Sequence, residues 1–451
     1  MNPLSMTERW NNRALFQLLW PLIIEQLLAV TMGAADTMMV SSVGEFAVSG
    51  VNIVDNINNL LIIAFMALAT GGAVVVSQYI GRRDAKNTNV AAKQLVYIVT
   101  LVSLILMGIA LILRRPIISL IYGNIAGDVM DAAVVYFFIT ALSYPFLAIY
   151  NADAALFRAA GNSGITMRIA LLVNIMNVGG NAFFIFVLHI GVVGVALSTL
   201  LSRIAAAAIL TLLLVYNRKG ILSLDGLHKI RFVRPMIRNI LNVGVPSGLE
   251  NSMFQIGRLL TQRIFTTFGT MAIAANAIAG VINSFSFMPG MAYGIALLTI
   301  VGQCVGAGDY EAAKKETAKI MKLAYLTLFV IGALIYIFMD GLISLFSLSP
   351  EAQVLTKTFL QVHCISMVIG WPMSFAMPNA LRAAGDVRYV MLVATVSMWL
   401  VRVSAAYLLC FPLALGPLGV WLSMGGDFLV RGVCYFTRWQ HGHWQEKRVI
   451  K

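Results

Sequence analysis

The chain has 451 residues, 59% of them hydrophobic and only 11% charged, with a formal net charge of +13. A soluble domain carries about 25% charged residues, so a soluble globular fold is excluded. Cys304, Cys364, Cys410 and Cys434 are irregularly spaced, which excludes a disulfide scaffold and a Cys-x-x-Cys metal site and leaves small apolar fillers as their expected role.

Apolar runs long enough to cross a ~30 Å hydrocarbon core as helices recur along the chain. Twelve are expected, at 14–43, 50–80, 92–113, 130–154, 165–188, 192–216, 238–265, 273–304, 320–339, 354–380, 389–412 and 417–437. The first is too long for a cleaved signal peptide and carries Glu25 and Asp36 inside it. Span two sets Asn52, Asp55 and Asn59 on one helical stripe, and span five does the same with Asn174, Asn177 and Asn181. Such asparagines either complete an ion site or join helices. Asp153, near the inner end of span four, is placed to cap a helix or pair with Arg158.

Between spans six and seven lies the longest polar connection, 217–237. Its end, His228–Arg238, alternates basic and apolar residues and is expected on the inner membrane surface. In span seven, Glu250 stands about 18 Å along a helix from the cytoplasmic end, one turn after a potential kink at Pro246. A carboxylate at that depth carries a proton, ligates Na⁺ or counters a cationic substrate, or else pairs with an arginine such as Arg258 on the same helix. Gln255 and Asn283 add polar groups on spans seven and eight. Arg203 and Arg402 either pair across helices or snorkel. Asp427 and Arg431 are spaced to form an i, i+4 ion pair on span twelve. The tail residues His441 and His443 lack the further ligands a metal would need, and an interfacial anchor is expected there.

Residues 21–84 and 246–309 form one segment written twice at an offset of 225. Pro21/Pro246, Glu25/Glu250, Gly44/Gly269, Asn58/Asn283, Gln78/Gln303, Gly81/Gly306 and Asp84/Asp309 all recur. Farther on, Arg158-Ala-Ala-Gly161 returns as Arg382-Ala-Ala-Gly385, and Gly194-Val-x-Leu-Ser198 as Gly419-Val-x-Leu-Ser423. The expected fold is therefore an all-α integral membrane protein of twelve transmembrane helices in two pseudo-symmetric six-helix bundles. The bundles would span 1–216 and 238–451, joined by a cytoplasmic linker at 217–237. This is the internal symmetry of secondary transporters with a site between like lobes.

Of 32 Lys and Arg, 24 lie in alternate connections and the tails, while the opposite connections hold only Arg114, Arg115 and Lys357. The positive-inside rule then places both termini in the cytoplasm. The positive surplus is read as orientation and attraction to anionic lipid, not nucleic-acid binding. No phosphate loop, dinucleotide fingerprint, nucleophile elbow or His-Glu-x-x-His motif occurs, so an ion gradient and not ATP is the expected energy source. No enzymatic activity is expected.

The ordered motifs resemble the multidrug and toxic compound extrusion (MATE) transporters, bacterial type. They are Ala35-Asp36-Thr37-Met38-Met39, Ser77-Gln78-x-x-Gly81, Arg158-Ala-Ala-Gly161-Asn162, Asn174-x-x-Asn177-x-x-x-Asn181, Pro246-x-x-x-Glu250-Asn251, Gly302-Gln303-x-x-Gly306-Ala307-Gly308 and Leu381-Arg-Ala-Ala-Gly385-Asp386. The resemblance implies two six-helix bundles in a V and export of amphipathic, often cationic compounds in exchange for H⁺ or Na⁺, with no other cofactor. It implies coupling acids at Asp36 and Glu250, with Asp55 as a further candidate from the residues themselves. Two departures stand out: Asn181 occupies a position where some members carry aspartate, and Gln361–Leu381 holds no acid. The expected setting is a monomer in the cell membrane, handling lipophilic organic cations. Competing readings are a flippase of a lipid-linked precursor, with Arg258 or Arg402 supplying a basic cavity, and a non-transporting membrane receptor.

Overall fold

The computed structural model describes residues 6–123, 126–217, 220–447 and 449–450; Arg218, Lys219, Arg448 and Lys451, which contribute to the charge asymmetry, lie outside them. Among the described residues the regular structure is entirely helical. In chain order the principal helices are α1 (Asn12–Ser41), α2 (Glu45–Gly81), α3 (Ala85–Tyr122), α4 (Gly127–Leu142), α5 (Tyr144–Ala159), α6 (Ser163–Ala182), α7 (Gly191–Tyr216) and α8 (Arg234–Thr266). They continue as α9 (Gly269–Gly306), α10 (Tyr310–Ile337), α11 (Pro350–Ile369), α12 (Met377–Ala384), α13 (Val387–Val396), α14 (Ser404–Cys410) and α15 (Leu418–Gln440).

Nine helices among the described residues are long and apolar enough to cross a membrane, and α4 with α5 makes a tenth span bent by 47°. The remaining two spans are α8, which carries Glu250 and Arg258, and α15, which carries Asp427 and Arg431. Charge in mid-helix lowers their hydropathy, and the twelve expected spans are all present as helices. Spans ten and eleven are interrupted by π-helical turns, Pro372–Ala376 and Ser397–Val403. Such turns widen a helix locally and are frequent at functional sites.

The chain packs as two compact units, Trp20–Gly248 and Met1–Leu19 together with Leu249–Lys451. Within the first, α2 meets α8 backbone to backbone. A Cβ added at Gly71 would stand 2.4 Å from the carbonyl oxygen of Ile240 and 2.8 Å from the amide nitrogen of Gly244. Small residues at such a crossing let helices approach closely where no hydrophobic effect drives them together. Gly71→Ala is therefore expected to destabilise the unit by about 1–3 kcal/mol, seen as a lower melting temperature in detergent. Gly108→Ala, where the added atom meets nothing, should melt like the parent. In the second unit the core gathers on Phe359, Trp371, Trp421 and Phe428, with Phe287 stacked 4.9 Å from Trp371.

The repeat has a physical basis at its corners. Asp84 accepts from the Asn87 amide at 3.0 Å to start α3, and Asp309 accepts from the Ala312 amide at 2.9 Å to start α10. That bond, from the backbone amide first and the Asn87 side chain second, holds the Asp84 carboxyl below its ordinary range. The residue before each cap is left-handed, Arg83 at φ 61° and Gly308 at φ 76°. Gly161 and Gly385, which close the two Arg-Ala-Ala-Gly motifs, are left-handed as well, at φ 85° and 100°. The polar connection 220–233 is tied to the start of α3 and does not form an amphipathic helix: Lys93, Gln94 and Tyr97 donate to the carbonyls of Asp225, Arg231 and Leu227 at 2.7–2.8 Å. The cysteines are free, and all but Cys434 are buried.

Candidate functional site

In the first unit, α1, α2, α4, α6 and α7 bring polar groups together. Asp36, half-buried near the outer end of α1, accepts from Asn181 Nδ2 on α6 at 2.6 Å. Asn177, one turn earlier, accepts from the same amide at 3.4 Å and donates to Thr199 at 3.3 Å. The carbonyl oxygen of Asn181 is buried with no hydrogen-bond partner. An orphan acceptor beside a carboxylate suits a proton or a cation arriving there.

Asp55, exposed on α2, accepts from Tyr136 on α4 at 3.3 Å and from Asn58 one turn ahead. Asn58 in turn accepts from Tyr144 at 2.7 Å. Arg203 on α7 lies within electrostatic reach of both Asp36 and Asp55, and its guanidinium donates to Ser143 at the α4–α5 bend, 2.6 Å away. Two carboxylates on membrane-spanning helices thus share the electrostatic reach of one arginine, an acidic excess. Asn174 stands apart and donates to its own helix at Ala170. Asp153 accepts from Thr211 at 2.5 Å; it neither caps a helix nor pairs with Arg158.

Arg158 pairs instead with Glu25, at 2.6 Å, and Thr166 donates to the other carboxylate oxygen at 2.8 Å. The second unit repeats the pair. Arg382 Nη2 reaches Glu250 at 2.6 Å, and its Nη1 donates to Asn379 at 2.9 Å. The partner of Glu250 is therefore Arg382, not Arg258. The repeat is incomplete, because Val390 and Met391 follow Arg382 where Thr166 follows Arg158, and Glu250 Oε2 is buried without a hydrogen-bond partner. Neither Gln255 nor Asn283 reaches Glu250; the Asn283 carbonyl oxygen is a further buried orphan.

Beyond this pair lies a second charged cluster. Asp427 accepts from Arg431 Nε at 2.8 Å and Nη2 at 2.5 Å, the expected i, i+4 pair, and from Ser397 at 2.6 Å. Arg402 on the π-turn approaches the same carboxylate at 3.7 Å.

An all-helical chain with twelve spans, a duplicated frame and buried ionisable groups at membrane depth is a multi-pass membrane protein built as secondary transporters are. Residues 21–183 and 246–408 each match the MatE family model, at the same offset of 225, and the chain belongs to that family of transporters. It is not an enzyme. The chain is 28% identical to "Uncharacterized transporter YisQ" of Bacillus subtilis over 96% of its length and 95% of the relative's. It is 26% identical to "Probable multidrug resistance protein NorM" of Thermotoga maritima, covering 97% and 94%. Among solved structures it resembles an outward-facing multidrug resistance MATE family transporter, with a TM-score of 0.88 at 20% identity over 98% of each chain. That likeness is one of fold.

Proposed function

We propose that the protein is a secondary multidrug exporter of the cell membrane, expelling amphipathic organic compounds, cations among them, by antiport with H⁺ or Na⁺. Its termini lie in the cytoplasm and it works as a monomer with no cofactor beyond the coupling ion. The observation that carries this reading is the acidic excess of Asp36 and Asp55 over Arg203, held in a frame of transmembrane helices. Unbalanced carboxylate at such depth is costly until a proton or cation joins it, which makes occupancy responsive to an ion gradient. Asn177 and Asn181 supply the oxygen and N–H groups around Asp36. The multidrug-resistance name borne by relatives such as the Thermotoga protein supports the cargo class.

Counterflow of ethidium in proteoliposomes tests this, with a pH gradient or a Na⁺ gradient imposed one at a time. One of the two gradients should drive uptake against the dye's concentration difference. Indifference to both would overturn ion coupling.

A further inference from the structure

Arg203 is the cation within electrostatic reach of both Asp36 and Asp55. The ionisable groups around its guanidinium are Tyr136, Asp55, Tyr144 and Asp36, on α4, α2, α5 and α1. Two relays of side chains connect it to the acids. On one side it holds Ser143 at 2.6 Å; the next residue, Tyr144, donates to Asn58 at 2.7 Å, and Asn58 donates to Asp55. On the other side Thr199, one turn before Arg203 on α7, accepts from Asn177 at 3.3 Å. Asn177 accepts in turn from Asn181, which holds Asp36 at 2.6 Å.

Arg203 is half-buried, and its hydrogen bond goes to a neutral hydroxyl. Among the described residues it forms no ion pair at contact distance with either acid. Its charge therefore acts on the two carboxylates together and cancels neither outright. Two acids and one guanidinium leave one negative charge. A proton or a single monovalent cation completes neutrality; a divalent cation overshoots it, and unbalanced charge is costly within a frame of membrane helices.

The oxygens present would otherwise suit a divalent ion. Asp36 is half-buried, Asp55 is exposed, and the Asn181 carbonyl oxygen has no hydrogen-bond partner. Carboxylate and amide oxygens are the ligands that Ca²⁺ takes. Charge, more than ligand chemistry, is what separates a monovalent from a divalent ion here.

We propose that Arg203 is a resident cation that fixes the valence of this site, restricting Asp36 and Asp55 to a proton or one monovalent cation and keeping divalent ions out. This deepens the export reading and rests on it only in calling the admitted ion the coupling ion.

Calcium binding, measured with no cargo and no gradient, tests it, so the proposal can fail while ion-driven counterflow stands. The full chain in phosphatidylcholine nanodiscs is dialysed against radiolabelled calcium, beside empty discs. Arg203→Gln should take one calcium ion per chain, roughly tenfold more tightly than the parent or better. Arg203→Lys keeps the charge and should behave as the parent. Asp36→Asn added to Arg203→Gln returns the excess to one negative charge and should abolish the gain. Loss of an arginine with only a structural role creates no affinity for calcium. Equal binding by parent and Arg203→Gln, binding by neither, or a gain shared by Arg203→Lys overturns the proposal. So does a gain that survives the added Asp36→Asn. Should Arg203→Gln fail to fold, Asn181→Asp decides, because it raises the excess to two with Arg203 in place: no gain in calcium binding there overturns the proposal.

Discussion

Asp36→Asn should abolish gradient-driven ethidium efflux from cells while the protein remains in the membrane at its normal level. The substitution keeps the shape of the side chain, and its amide oxygen can still accept from Asn181, which sits 2.6 Å from the present carboxylate. What it removes is the charge. Asp55 and Arg203 would then balance one to one in charge, and the acidic excess that calls for a proton or cation would be gone. Efflux measured in energised cells, beside an immunoblot of the membrane fraction, separates lost transport from lost protein. Undiminished efflux would remove Asp36 from the coupling site.

Glu250→Gln should act differently, through the arginine it abandons. Arg382 is 12% exposed and its ion pair is 2.6 Å long. Breaking a buried pair from one side costs about 3–5 kcal/mol, because the remaining charge is left uncompensated. We expect a marked fall in melting temperature for Glu250→Gln and recovery of most of it in the double variant with Arg382→Gln. Efflux should follow stability in the double variant if the pair ties α8 to α12. If the double variant is stable but inactive, Glu250 serves transport itself. Glu25 and Arg158 provide the parallel experiment in the first unit, at the same distance and with Thr166 as an additional donor.

The frame was largely legible in the sequence, because long apolar runs and a fixed offset are properties of the chain alone. The i, i+4 pair of Asp427 with Arg431 was legible for the same reason: both partners share one helix. The asparagine stripe of span five was half informative. It pointed to Asn177 and Asn181, but Asn174 bonds only to its own backbone. What stayed hidden were partnerships between distant helices. Arg382 is 132 residues from Glu250, and its motif had marked the repeat without naming a partner. Tyr136, Tyr144 and Asn58 complete the surroundings of Asp55, yet a tyrosine in an apolar span looks the same facing lipid or a carboxylate. The π-turn that presents Arg402 left no trace in the hydrophobic pattern, since a single wide turn shifts the helical phase too little to read.

The identically built corners at Asp84 and Asp309 have a consequence for how such a molecule can evolve. Architecture here is vested in the joints: a capping aspartate, a left-handed residue before it, and an arginine reaching back to a glutamate. With those joints kept in duplicate, the interior residues of each half were at liberty to drift. An ancestral gene doubled once can in this way vary the interior of one copy without inventing a second scaffold.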